Sequence, residues 1–206
     1  MMRVWMGFSH EHTCHCSGRR RRTRGFRDAL GELRLPGAWS PLMFKVNEHN
    51  LGLRYGLTGK EFDDVWRAFH EEQWARLPLY DHAHDLVYSL EDMGCEIWAV
   101  TSINPDFTES RAVSLDGFIP AGRILCVGYN APAMAKVQAI RQLGAVAFLD
   151  DHPVNINAAV GHTLLPTLLY QGVETPEPDM VTVIDDAMDF PVLVEEMLRR
   201  TGRMVA

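Results

Sequence analysis

The chain has few cysteines, no long apolar run and, beyond its first 40 positions, few basic residues. The four cysteines among 206 residues show no disulfide framework. No apolar run reaches the roughly 18 residues that a membrane-spanning helix needs, and residues 1–8 are too short and too interrupted for a signal peptide. We therefore expect reduced cysteines, a cytoplasmic protein and no membrane partner.

Charge is distributed unevenly along the chain. Residues 1–40 hold eight arginines and three acidic residues, a net charge of +5, whereas residues 41–206 hold 12 basic and 24 acidic residues, a net charge of −12. The acidic bulk argues against nucleic acid as a partner. The basic run Arg19–Arg24 is typical of a solvated surface or a disordered segment, and a nucleic-acid or phosphate patch is the alternative.

Short apolar segments alternate with amphipathic segments from about residue 80 onwards. Strand patterns cover 96–101, 123–127, 145–149 and 163–169, and helical patterns cover 83–93, 106–115, 134–143, 153–160 and 190–199. Short apolar strands between helices predict an α/β fold, a doubly wound, Rossmann-like parallel sheet with helices on both faces. Residues 4–8 are the candidate first strand of the same sheet.

The region between the first strand and the others has a different character. Residues 42–77 carry a helical stripe and no strong strand signal, so we interpret them as a mainly helical insertion. The predicted organisation has three parts. Residues 1–14 hold the first strand and the loop after it, residues 15–78 hold an Arg-rich linker and the insertion, and residues 79–206 hold the Rossmann-like core.

Ligands bind outside the carboxyl ends of the strands in such sheets, so polar residues that follow a strand are candidates for chemistry. Thr101 and Ser102 follow one strand and offer a hydroxyl to a phosphate oxygen, with a cap or turn as the alternative. Lys136 lies near the start of a later helix. It would neutralise a phosphate or an acid there, or it is a solvent-exposed lysine.

Two adjacent carboxylates, Asp150 and Asp151, follow the third of these strand patterns. Adjacent carboxylates repel each other unless a cation or hydrogen-bond donors hold them, and hard oxygen ligands of this kind suit Mg²⁺. The alternative is that Asp151 caps the next helix and that Asp150 is exposed.

The order of these features, a hydroxyl after one strand, a lysine at the start of a later helix and paired acids after the next strand, resembles the haloacid dehalogenase superfamily of phosphohydrolases. Val100-Thr101-Ser102 looks like its second motif, Lys136 like its third and Phe148–Asp151 like its fourth. The resemblance implies Mg²⁺-dependent hydrolysis of a small phosphomonoester, such as a nucleotide, through an aspartyl-phosphate. It also makes the helical insertion the counterpart of the cap that many members carry.

The Asp-x-Asp-x-Thr nucleophile motif of that family is absent from this sequence. After the candidate first strand, Ser9 falls at the nucleophile position, Glu11 at the general acid/base and Thr13 at the threonine. A serine nucleophile needs an adjacent base, and its hydroxyl brings no charge to Mg²⁺. We therefore predict impaired hydrolysis, with a non-catalytic member that binds a metal or a phosphorylated ligand as the alternative.

Two further interpretations of the first 41 residues stay open. A cluster of zinc-type ligands follows the first strand, although its spacing matches no zinc fold known to us: His10, His12, Cys14, His15 and Cys16. Alternatively, residues 9–41 belong to a shifted reading frame or have diverged, which fits the Arg-rich run and the missing nucleophile motif. The sequence specifies neither the substrate nor the oligomeric state.

Overall fold

The computed structural model describes residues 2–7, 59–60, 74–77, 79, 82–115, 117–128, 131–170 and 180–203. Its strands are β1 (Met2–Gly7), β2 (Cys95–Thr101), β3 (Ile124–Cys126), β4 (Ala147–Asp150), β5 (Leu165–Leu169) and β6 (Thr182–Ile184). Its α-helices are α1 (Ala83–Asp92), α2 (Thr108–Ser114), α3 (Ala133–Leu143), α4 (Pro153–Ala159) and α5 (Asp189–Arg200). Short 3₁₀ helices, Pro105–Phe107 and Ala121–Arg123, precede α2 and β3.

The six strands form one parallel sheet in the order β3-β2-β1-β4-β5-β6. The first strand lies in the middle, where Met6 is level with Ala99 of β2 and with Leu149 of β4. Parallel neighbours need a crossover connection, which helices provide here. The structure therefore confirms the predicted α/β, Rossmann-like sheet with the first strand at its centre.

Helices cover both faces of the sheet. On one face, Leu90 of α1 and Phe190 of α5 pack in a hydrophobic cluster with the inward side chains of β1 and β2. On the other face, Ile140 of α3 and Ile156 of α4 pack against β4 in a second cluster. All four of these side chains are fully buried, and burying a side chain of this size contributes about 1.5–3 kcal/mol. Burial on both faces explains why the strands are mostly apolar rather than alternating between apolar and polar residues.

Two helices are followed by glycines in a backbone conformation that glycine adopts more readily than any other residue. Gly94 after α1 has φ +77° and Gly144 after α3 has φ +63°. In this left-handed region a side chain would be strained, and glycine is the usual residue just after a helix. The Gly144 N–H donates to the Arg141 carbonyl oxygen at 3.2 Å. Each glycine turns the chain from a helix into the next strand pattern.

Two elements differ from the sequence-based expectation. Strand β6 (Thr182–Ile184) was not expected, because three residues are too short for a periodic pattern; pairing with β5 defines it. The helix expected over 106–115 divides into the 3₁₀ turn Pro105–Phe107 and helix α2. Asn104 caps that turn by accepting a hydrogen bond from the Asp106 N–H at 3.2 Å.

The predicted helical insertion, residues 42–77, lies mostly outside the described residues. Within it the structure describes 59–60 and 74–77, and residues 59–60 and 74–75 are helical. The boundaries at residues 14 and 78, the basic run and the His/Cys cluster also lie outside the described residues, so these predictions stay predictions. No helix in the described part of the chain is long and apolar enough to cross a membrane.

Glu96 connects three elements at the amino-terminal end of the sheet. Its Oε2 accepts a hydrogen bond from Arg3 Nε at 2.7 Å, and its Oε1 lies 3.3 Å from Arg123 Nε. Arg3 also donates to the Leu143 carbonyl oxygen at the end of α3, at 2.8 Å. The hydrogen bond from Arg3 and the two guanidinium charges hold the pKa of Glu96 below its ordinary value, although burial works to raise it.

We expect Glu96→Gln to lower the free energy of unfolding at pH 7 and to lose this effect in acid. Since the folded-state pKa is the lower one, the unfolded chain binds more protons around the ordinary value of 4.5. The contribution of the ionised Glu96 carboxylate to the free energy of unfolding is therefore complete above that pH, and it is lost as the pH falls through the folded-state pKa. Urea unfolding of both proteins at several pH values measures the difference. An equal difference at all pH values would contradict this account, and Glu195→Gln, on an exposed ion pair, is the control.

Thr167 of β5 is fully buried, and its Oγ1 has no hydrogen-bond partner among the described residues. A buried hydroxyl without a partner destabilises the folded state. We expect Thr167→Val to raise the free energy of unfolding by about 1 kcal/mol, because valine has the same shape without the hydroxyl. Thr201→Val is the matched control and should lower it, since Thr201 Oγ1 donates to the Met197 carbonyl oxygen at 2.8 Å. Thermal unfolding of both variants measures these changes in stability. A loss of stability for Thr167→Val would refute this expectation.

Candidate active site

The carboxyl ends of β2, β1 and β4 lie side by side at one edge of the sheet. Gly7, the last residue of β1, is level with Val100 of β2, and Leu149 of β4 pairs one residue earlier on β1. Since neighbouring strands are about 4.8 Å apart, β2 and β4 are separated by about 10 Å with β1 between them. Thr101 and Asp150 therefore lie at the same edge, two strands apart.

Lys136 and Asp150 form a buried ion pair at this edge. Lys136 Nζ donates to Asp150 Oδ2 at 2.8 Å, and the two side chains are 3% and 0% exposed. Helix α3 begins at Ala133, so the lysine lies in its first turn, above the end of β4. A buried charge needs a partner with good geometry. Lys136 is therefore not the solvent-exposed lysine of the alternative interpretation.

The second carboxylate oxygen of Asp150 is held by the residues that follow it. Oδ1 accepts hydrogen bonds from the His152 N–H at 2.8 Å and from Asn155 Nδ2 at 3.1 Å. Complete burial works to raise the pKa of Asp150, but the Lys136 charge and these hydrogen bonds hold it below its ordinary range. Asp150 is therefore an ionised carboxylate at neutral pH, bound by three donors.

Asp151 follows directly and is 4% exposed. The residue that caps α4 is His152, whose Nδ1 accepts a hydrogen bond from the Val154 N–H at 3.3 Å, with Pro153 in the first turn. The interpretation in which Asp151 caps the helix and Asp150 is exposed therefore does not hold. Two buried carboxylates on successive residues remain at the end of β4.

Two backbone hydrogen bonds connect the end of β2 and the loop after it to the loop after β3. The Thr101 carbonyl oxygen accepts from the Val127 N–H at 2.9 Å, and the Ile103 carbonyl oxygen accepts from the Gly128 N–H at 3.0 Å. Thr101 and Ile103 are buried, and Ser102 between them is half-buried. The loop thus keeps two hydroxyl-bearing residues at the edge of the sheet.

The structure brings Lys136, Asp150 and Asp151 together and places Thr101 at the same edge. Ser9 and Glu11 lie outside the described residues, so their positions and their roles stay predictions. The sequence analysis assigned no role to Asn155, which the structure shows bound to Asp150. The sequence feature that could have indicated this contact is the position of Asn155, five residues after Asp150 and in the first turn of the next helix.

Mg²⁺ is the metal that the sequence predicts, and the ligands that it prefers are oxygen atoms. Among the described residues, no group of three or more His, Cys, Asp or Glu side chains is placed to hold a metal ion. Mg²⁺ is, however, usually bound by one or two carboxylates together with water and substrate phosphate. Asp150 and Asp151 supply two carboxylates at one strand end, so the donor chemistry present fits this ion.

The chain is similar to solved structures of the haloacid dehalogenase superfamily. No family model and no curated protein matches it. One similar structure is an L-2-haloacid dehalogenase, with a TM-score of 0.51 and 17% identity over 70% of this chain and 67% of that protein. Another is a HAD family hydrolase from Deinococcus radiodurans R1, with a TM-score of 0.51 and 12% identity over 98% and 97% of the two chains. Similarity at these identities concerns the fold alone, and the parallel α/β fold of this chain is similar to that of these two proteins.

Proposed function

We propose that this protein is a phosphohydrolase of the haloacid dehalogenase type that takes a small phosphomonoester, such as a nucleotide, together with Mg²⁺. The observation that carries the proposal is the buried Lys136–Asp150 pair, with Asp151 next to it, at the carboxyl end of β4. A lysine and two carboxylates in a buried place suit a ligand set made of a divalent cation and a phosphoryl group. The similar hydrolase from Deinococcus radiodurans was solved with bound phosphate and sodium, which supports the same ligand class here.

In the proposed reaction the phosphoryl group binds at the carboxyl edge of the sheet, where these residues meet. Lys136 would neutralise a phosphoryl oxygen, and the Thr101 hydroxyl would donate a hydrogen bond to another. Asp150 and Asp151 would hold Mg²⁺, which supplies charge compensation for the transferring oxygens when it is bound. Asn155 and the His152 N–H keep the Asp150 carboxylate in place.

This chain has no aspartate at the position of the expected nucleophile. The family uses an aspartate to attack phosphorus, and Ser9 stands at that position here. A serine hydroxyl is a weak nucleophile without an adjacent base. Glu11 would keep the general acid/base role, protonating the leaving group and then activating water. We therefore propose that the chain binds phosphomonoesters and hydrolyses them slowly.

A non-catalytic protein with the same binding site is the second candidate, and Ser9 is the residue that favours it. Steady-state hydrolysis of 4-nitrophenyl phosphate with and without Mg²⁺ separates the two candidates. Mg²⁺-dependent release of phosphate supports the enzyme, whereas phosphate binding without turnover supports the binding protein. Release of halide from a 2-haloacid, with no phosphate binding, would contradict both. Translating the coding DNA in its other frames upstream of Met43 tests the shifted-frame interpretation.

We expect Asp151→Asn to weaken Mg²⁺ binding at least about tenfold, because it removes one of two anionic oxygen ligands. Isothermal titration calorimetry with MgCl₂ measures the change. The chain contains its own control: Asp185 and Asp186 are adjacent aspartates directly after β6, as Asp150 and Asp151 are adjacent aspartates at the end of β4, but they are exposed. Asp185→Asn should leave Mg²⁺ binding unchanged. Equal effects of the two variants would show that the carboxylates of β4 are not the ligands.

The predicted location and partners belong to this proposal as well. We propose a cytoplasmic location, where free thiols such as those of Cys95 and Cys126 stay reduced. The proposed partner is a small phosphorylated substrate rather than a membrane or nucleic acid. The net charge of −12 over residues 41–206 opposes nucleic-acid binding.

A further inference from the structure

A small hydrophobic cluster lies beside the candidate site, and the proposed chemistry does not use it. The cluster joins Trp74 and Leu77 to Ile103, with Phe107 and Cys126 packed against them. Trp74 is 4% exposed and Ile103 is 1% exposed. The ring centroids of Trp74 and Phe107 are 6.4 Å apart. A tryptophan 21 residues before the start of β2 is thus packed on the loop that follows that strand.

That loop carries the hydroxyl-bearing residues of the candidate site. Thr101 ends β2, Ser102 follows it, and Ile103 is the next residue. Two contacts hold Ile103: its carbonyl oxygen accepts from the Gly128 N–H at 3.0 Å, and its side chain lies in the cluster with Trp74. A change in the backbone at 101–102 would also move Ile103, because Ser102 is bonded directly to it.

We propose that Trp74 is a positioning residue for the phosphoryl-binding loop at 101–103. Its large, rigid indole holds the Ile103 side chain in the cluster and so keeps Thr101 and Ser102 directed at the phosphoryl oxygens. This inference rests on the proposed function, since it assumes that the loop binds phosphate. Coupling between two sites is reciprocal, so phosphate bound at the sheet edge must also act on the surroundings of Trp74.

Fluorine NMR of protein labelled with 5-fluorotryptophan tests this coupling in the intact chain. The Trp74→Phe variant identifies the Trp74 signal among those of the five tryptophans, and inorganic phosphate is then titrated in the presence of MgCl₂. We expect the Trp74 signal to shift and to saturate with the phosphate titration. Trp98, in the middle of β2 and packed with the other cluster, is the control, and its signal should stay in place.

Calorimetry of the same ligands measures the consequence for affinity. We expect Trp74→Ala to raise the Kd for phosphate about tenfold, which is a typical size for coupling between sites. Trp74→Phe should restore most of the affinity, because phenylalanine keeps an aromatic ring against Ile103. Trp98→Ala is the matched control: it should lower the melting temperature and leave the Kd for phosphate unchanged.

The outcomes separate this inference from the function on which it rests. If the unmodified protein binds no phosphate with Mg²⁺ present, the proposed function fails and the inference fails with it. If phosphate binds while the Trp74 signal stays fixed, or while Trp74→Ala keeps the affinity of the unmodified protein, the positioning role alone is wrong. Should Trp74→Ala not fold, the response of the Trp74 signal of the unmodified protein to phosphate decides.

Discussion

Replacing Ser9 with aspartate is expected to raise the rate of phosphomonoester hydrolysis at least about 100-fold, since loss of a nucleophile commonly costs more than that. The reason is chemical: an aspartate is an anion at neutral pH, whereas a serine hydroxyl must first lose a proton. Strand β1 ends at Gly7, two residues before position 9 in the sequence, and it lies between the strands that carry Thr101 and Asp150. Adding Glu11→Asp should raise the rate further by shortening the general acid/base.

The controls for this experiment use the same position and the same site. Ser9→Asn has the size of aspartate without its charge, and it should leave the rate low. Ser9→Asp combined with Asp151→Asn should lose most of the gain, because the proposed Mg²⁺ ligand is then missing. Release of 4-nitrophenol from 4-nitrophenyl phosphate measures the rates of the unmodified protein and of the four variants. A Ser9→Asp protein that binds phosphate but gains no activity would show that the nucleophile belongs elsewhere.

Replacing Lys136 with methionine is expected to lower the free energy of unfolding by about 3–5 kcal/mol. The lysine contacts a carboxylate that is completely buried, at 2.8 Å. Without it Asp150 would keep a buried charge that only two neutral donors, the His152 N–H and Asn155, help to stabilise. Urea unfolding at pH 7 measures the loss.

Two comparisons identify the unpaired charge as the cause. Arg199 and Glu195 on α5 form an ion pair with the same 2.8 Å distance, but their side chains are 63% and 44% exposed. Arg199→Met should therefore change the stability by less than about 1 kcal/mol. The double variant Lys136→Met with Asp150→Leu should recover much of the lost stability, because both charges are gone. A double variant as unstable as Lys136→Met would show that packing of the lysine stem, rather than the charge, accounts for the loss.

The sequence by itself determined most of the elements and the positions of the polar residues along them. Apolar strands such as β2 and β4 are visible as short runs because both of their faces are covered, and helices such as α3 are visible through their 3.6-residue period. A glycine such as Gly144 marks a helix end for local steric reasons. Since Thr101 and Asp150 each end a parallel strand, their common edge also followed from the local pattern.

The tertiary structure decided what depends on contacts between distant parts of the chain. Strand order is one case: nothing local places β1 between β2 and β4, and three-residue β6 is a strand because it pairs with β5. Burial is the other. A lysine near a helix start and a pair of aspartates are most often exposed, and Lys136 became a buried partner of Asp150 only when α3 packed over the end of β4. Burial and ion pairing depend on which surfaces meet in the folded chain, and no local stretch of sequence records that.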